Sequence, residues 1–140
     1  MADAKVFLDA NILVYAHDIS AGSKHDVARD MMAGLWKRGG GVLSTQVLQE
    51  FYVNVTQKLP KPIDVSVAQK VVGDLLSWEV VVTDGKSILN AIDLQKRYKY
   101  SFWDSLIIHA ALQVGATVLM TEDLSTGQKI KGMTIENPFH

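Results

Sequence analysis

The sequence predicts an α/β fold with a mainly parallel sheet of about five strands. Three observations lead there. Short runs rich in β-branched residues recur along the chain, longer stretches with helical spacing lie between them, and glycines or capping residues mark the joins.

Taken in order, "AKVFLD" (4 to 9) supplies the first strand, and residues 10 to 38 carry helical spacing up to "RGGG" at 38 to 41, which ends it. "GVLS" (41 to 44) is the second strand. Residues 45 to 77 are helical again. There Val47, Leu48, Phe51, Tyr52, Val55 and Leu59 share one face, Glu50 and Asn54 lie together on its flank, and "KLPKP" (58 to 62) reads as a helix-helix turn before Asp64 opens the next helix. "EVVVT" (79 to 83) leads to Asp84, which can cap a helix over 85 to 99, and Ser101 can cap another over 102 to 114 that Gly115 ends. "ATVLM" (116 to 120) and "GMTIE" (132 to 136) complete the strands. Four of the five runs read as buried and parallel, and residues 1 to 140 read as a single domain without linker or repeat.

The bulk composition narrows the function. With 14 Lys plus Arg against 15 Asp plus Glu, the net charge of −1 excludes a molecule-wide attraction to polyanions or membranes. Any basic surface must be local. The absence of cysteine excludes disulfides and thiolate chemistry and makes the cytoplasm the expected compartment. A secretory signal would have Asp9 and Asn11 inside its apolar core, and no run reaches the roughly 18 apolar residues of a membrane span.

In an open α/β sheet, ligands bind beyond the carboxyl ends of the strands. Four acids belong to that edge. Asp9 ends the first strand, Glu50 lies in the helix after the second, Asp104 opens a late helix, and Asp123 follows the fourth strand in "TEDL". Singly, each has a local explanation: Asp9 and Asp123 as caps, Asp104 as part of the Ser-x-x-Asp pattern "SFWD", and Glu50 as a solvated surface residue. Laid out at 100° per residue, however, the Asp104 helix puts this acid inside a broad apolar arc with Trp103, Ile107, Ile108, Ala111, Leu112 and Val114. Ser105, His109 and Gln113 form the opposite, polar side. Four carboxylates at one edge, with Asn11 and Thr121 beside two of them, repel one another unless a cation joins them. All-oxygen donors suit Mg²⁺ or Mn²⁺ rather than zinc, and His17, His25, His109 and His140 show no ligand spacing.

"FLDANILVY", "STQVLQEFYVN", "SFWDSLIIHAA" and "LMTEDL" resemble, in order, the four acidic segments of the PIN-domain ribonucleases, in particular the VapC toxins of type II toxin-antitoxin pairs. The resemblance runs from about residue 5 to "ENPF" (136 to 139), with no departure at an acidic position. It implies a three-layer α/β/α fold and a divalent-metal-dependent endoribonuclease that leaves a 5′-phosphate and a 3′-hydroxyl. Asp9, Glu50, Asp104 and Asp123 would be the catalytic acids and bind Mg²⁺ or Mn²⁺, while Asn11 and Thr121 would hold the carboxylates and a metal-bound water in place. A cognate antitoxin and a homodimer are the partners it implies.

An RNA substrate also needs positive surface. "QKRYKY" (95 to 100) offers Lys96, Arg97 and Lys99 with two tyrosines just before Asp104, although cations also favour helix C-termini through the dipole. Among rivals, a phosphatase or phosphotransferase with Asp9 as nucleophile would want a second acid where Asn11 stands. A receiver-like signalling domain would want paired acids after the first strand and a late lysine. A non-catalytic RNA-binding module would not need the intact acids.

Overall fold

The computed structural model describes residues 4–139, so His140 lies outside the described residues. Among the described residues one sheet holds six strands: β1 (Val6–Leu8), β2 (Gly41–Ser44), β3 (Glu79–Val81), β4 (Val118–Met120), β5 (Lys129–Ile130) and β6 (Met133–Glu136). Their order across the sheet is β3-β2-β1-β4-β6-β5, and every neighbouring pair is parallel except the β5/β6 hairpin.

The five expected strands are present, and the sixth, β5, is an addition to the expected count. Two residues show no periodicity. The hairpin turn reveals itself instead in Lys131 and Gly132, which both have positive φ (49° and 87°), as a two-residue turn matched to strand twist requires.

Six α-helices among the described residues connect the strands: α1 (Ala10–His17), α2 (Ser23–Arg38), α3 (Thr45–Val53), α4 (Val65–Leu75), α5 (Gly85–Tyr98) and α6 (Phe102–Gln113), with the stretch expected to be helical over 10 to 38 broken by a 3-10 turn at Ile19–Ala21. Asp64, Asp84 and Ser101 cap α4, α5 and α6 through their side chains, as their positions before apolar-periodic runs suggested. α1 packs on α2 and α3, and α3 on α4, whereas α5 packs on α6. Right-handed crossovers explain the division: the chain moves outward from β1 to β3, then returns past β1 to β4, so α5 and α6 cover the other face. The result is the expected three-layer α/β/α arrangement.

The core lies on both sides of β1, whose three residues are all buried, and takes in Phe51, Ile108, Leu119 and Ile135, none of them measurably exposed. The expected core face of α3 is present, with Val47, Leu48, Phe51 and Val55 buried and Glu50 half-buried beside it. Beyond α3, residues Asn54–Lys58 continue as one wider, π-type turn. The α6 layout needs correction at two positions. Trp103 is 63% exposed and Ser105 is fully buried. Ser105 is small enough to enter the packed side, and its hydroxyl donates to the Ser101 carbonyl at 2.8 Å, so its burial leaves no unpaired group.

Candidate active site

β1 is central, with β2 and β3 on one side and β4, β6 and β5 on the other, so the connections diverge between β1 and β4. Such a divergence opens a crevice at the carboxyl ends of the two strands. The register pairs Leu8 with Met120, which brings the next residues, Asp9 and Thr121, side by side.

Asp9 is both a cap and a buried acid. One carboxylate oxygen accepts from the Ala10 N–H at 2.7 Å, starting α1, and the other accepts from the Thr121 hydroxyl at 2.8 Å. Thr121, fully buried, in turn accepts from the Asp123 N–H at 3.1 Å. Asn11, in the first turn of α1, donates from Nδ2 to the Asp123 carboxylate at 3.1 Å and accepts from the Glu122 N–H at 3.4 Å. Asp9, Asn11, Thr121 and Asp123 thus form one hydrogen-bonded chain joining α1 to the segment after β4. No capping bond from the Asp123 side chain is part of it.

Asp9, Asn11, Glu50, Asn54 and Asp123 line a cavity of about 300 Å³ together with Tyr15 and Asp18. None of its described lining residues is basic. Burial pushes the Asp9 carboxyl up to about 6 against the opposing effect of its two hydrogen bonds, and the charges of Asp123 and Asp104 push the same way as burial. Burial also raises Glu50, as do the charges of Asp9, Asp104 and Asp123, with a hydrogen bond from Gln46 opposing them. Asp9 and Glu50 therefore both feel the charges of Asp123 and Asp104; Asp104, in the first turn of α6, acts from outside the cavity lining.

Two polar side chains in this region escaped the sequence reading as supports. Gln46, 8% exposed, reaches from α3 to the Trp103 carbonyl at 3.4 Å and so ties the Glu50 helix to the Asp104 helix. Asn54 donates to the Glu50 carbonyl at 2.8 Å. A polar residue on an otherwise apolar helix face was the available signal for Gln46.

The basic candidates sit apart from this cavity, at the end of α5. Lys96 pairs with Asp93 at 3.8 Å, Arg97 lies 5.5 Å from the Tyr98 ring, and Lys99 is the left-handed cap at φ 66°. Tyr98 and Tyr100 stack on each other with ring centroids 6.3 Å apart and pack against the core. Their faces are thereby partly committed.

The sequence matches the PIN domain over residues 6–127. The chain belongs to the PIN domain family. Solved structures share its fold across nearly the whole PIN chain: a toxin-antitoxin complex from Klebsiella pneumoniae is similar at 16% identity with a TM-score of 0.71, covering 96% of this chain and 98% of that one. VapBC2 from Rickettsia felis, bound to a promoter DNA fragment, is similar at 22% identity and TM-score 0.64, covering 94% and 97%. The Mycobacterium tuberculosis toxin VapC20, described as cleaving the sarcin-ricin loop, is similar at 15% identity and TM-score 0.62, covering 82% and 87%. No curated protein matches the chain by sequence. Within this PIN domain, Asp9 has both oxygens engaged by donors, which suits a held, orienting carboxylate better than the free nucleophile of the phosphatase alternative.

Proposed function

We propose that this PIN domain is a divalent-metal-dependent endoribonuclease and the toxin of a toxin-antitoxin pair. One observation carries the reading: a buried carboxylate, Asp9, lines a cavity with Glu50, Asp123 and Asp18, within reach of the charge of Asp104, while no described lining residue is basic. Such a site keeps an energetic deficit that a cation removes.

Among the described residues, no group of three acid or histidine side chains already stands in a metal-holding arrangement. Mg²⁺ does not require one, since it keeps several waters and is commonly held by one or two carboxylates. The donor set fits Mg²⁺ or Mn²⁺ in chemistry, and Asp9, Glu50, Asp104 and Asp123 are the residues that would hold it. When bound, the ion would neutralise the scissile phosphate and activate water. The protein's own part is orientation. Thr121 fixes Asp9, Asn11 fixes Asp123, and Gln46 keeps α3 against α6, so Asp9 and Asp123 are held in place with Glu50 on the same cavity wall. Lys96, Arg97 and Lys99 remain the proposed RNA contacts, at the α5 end.

Incubation of the purified protein with RNA should give cuts bearing 5′-phosphates in Mg²⁺ or Mn²⁺ and none in EDTA, and Asp104→Asn should be inactive in both. The Ser101 hydroxyl, which accepts from the Asp104 N–H at 3.1 Å, still caps α6 in that variant, so it should fold normally. Full cleavage in EDTA would overturn the metal reading.

The protein partner would be an antitoxin presenting Arg or Lys to the acidic cavity, in the cytoplasm where RNA is the substrate, and the active unit would be a homodimer. The similarity to solved toxin-antitoxin assemblies supports this partner class. Co-expression with the adjacent small reading frame should relieve growth arrest; arrest that persists with the two proteins co-purifying would remove the inhibitor from the proposal. Sedimentation of the isolated chain as a monomer at micromolar concentration would remove the dimer.

A further inference from the structure

Glu122 stands between Thr121 and Asp123 but is not among the residues lining the acidic cavity. Both of its carboxylate oxygens are engaged: the Tyr15 hydroxyl of α1 donates to one at 2.6 Å, and the Lys24 ammonium of α2 donates to the other. Tyr15 lies one helical turn after Asn11 on α1, so the same helix face grips two successive residues, Glu122 by its N–H and side chain and Asp123 by its carboxylate. Lys24 also lies 5.1 Å from the Tyr15 ring centroid and 5.8 Å from that of Phe139, and the two rings meet edge to face at 5.1 Å. The clamp therefore has a second wall, supplied by the C-terminal segment.

We propose that Lys24 and Tyr15 are positioning residues for the nuclease site: by holding the Glu122 carboxylate against α1 and α2, they set the segment after β4 so that Asp123 faces Asp9. This rests on the metal-nuclease reading for its consequence, but the pinning itself does not. The alternative, that the ion pair merely stabilises the fold, fits its exposure poorly. The Lys24 side chain is 42% exposed and that of Glu122 25%, and pairs so open to water contribute little to global stability. What the contact can do is choose a geometry. Without Lys24 the Glu122 charge would have only the tyrosine hydroxyl as partner and, one residue from Asp123, would be free to turn toward the cation site.

Lys24→Met, Lys24→Arg and Tyr15→Phe, each compared with wild type, test this through two readouts besides cleavage. The first is amide hydrogen exchange of residues 122–124 in EDTA, where the Asp123 N–H bond to Thr121 is the reporter. The second is Mn²⁺ affinity by electron paramagnetic resonance. Lys24→Met should speed exchange at 122–124 and weaken Mn²⁺ binding by roughly tenfold each, raising the metal concentration needed for half-maximal cleavage more than it lowers the saturated rate. Its melting temperature should hardly move. Lys24→Arg should restore both readouts, and Tyr15→Phe should show a smaller loss in the same direction. Unchanged exchange and unchanged Mn²⁺ affinity in Lys24→Met, or a lowered melting temperature as its only effect, would overturn the proposal. If wild type binds no Mn²⁺, the metal reading fails by itself, and the exchange comparison still decides the pinning.

Discussion

Asp9→Asn is expected to reduce RNA cleavage by at least roughly a hundred- to a thousandfold, the scale of removing one preorganised electrostatic group from an active site, while making the chelated protein more stable near neutral pH. The carboxyl is pushed from 3.8 up to about 6 in the folded protein, chiefly by burial. The folded state therefore holds this proton more tightly than the unfolded chain does. Between those two values the folded protein binds more protons, so stability falls as pH rises through the window and is level above it. A ten-fold change in proton affinity is about 1.4 kcal/mol, so the ionised carboxylate costs up to about 3 kcal/mol at pH 8 and about half of that at pH 5.

Asparagine carries no such charge. It can still accept from the Ala10 N–H, and its amide can donate to the Thr121 hydroxyl oxygen. Urea melts of both proteins in EDTA at pH 5 and pH 8 should show the variant ahead at pH 8, with the gap shrinking by about half at pH 5. Saturating Mg²⁺ should close the gap by stabilising wild type more. A variant less stable than wild type at pH 8 would mean that Asp9 serves mainly as a cap, and retained cleavage would remove it from the catalytic set.

Phe51→Ala should cost about 3–5 kcal/mol, a large part of the roughly 5–15 kcal/mol that holds a domain of this kind together. Phe51 has no measurable exposure and meets the His17 ring edge-on at 5.2 Å, so truncation leaves a cavity between α3 and α1. Glu50 is its neighbour in sequence, and loosening α3 should also blur the aim of that acid. Phe51→Leu refills most of the space and should retain cleavage with a smaller loss. Denaturant titrations would register the difference as a shift in midpoint at similar slope. A loss below about 1 kcal/mol in the alanine variant would show that α3 can collapse onto the site of the missing ring.

Five of the six described strands and the helix starts at 64, 84 and 101 could be read from the sequence, because the information that sets them is local, whereas β5 and the break between α1 and α2 could not. Asp64, Asp84 and Ser101 cap helices by virtue of a side-chain oxygen placed before an apolar-periodic run, and the β-branched runs at 6, 41, 79, 118 and 133 form strands because they suit a buried pleated surface. The candidate acids could be picked out for a related reason: acids at strand ends and helix starts belong to one edge of a parallel sheet, and the structure brings Asp9, Glu50 and Asp123 to one cavity while Asp104 stays outside its lining. Tertiary structure alone decided what those acids touch. The dual engagement of Asp9 depends on the Leu8–Met120 register, and the grip on Glu122 depends on where α2 crosses α1. It also decided the exceptions on α6, where Ser105 is buried and Trp103 exposed against the simple helical layout. Periodicity reports how apolar a face is, whereas burial depends on what packs against it. Contacts between residues about a hundred positions apart leave no pattern in a single sequence, because their geometry exists only once the sheet has brought the two segments together.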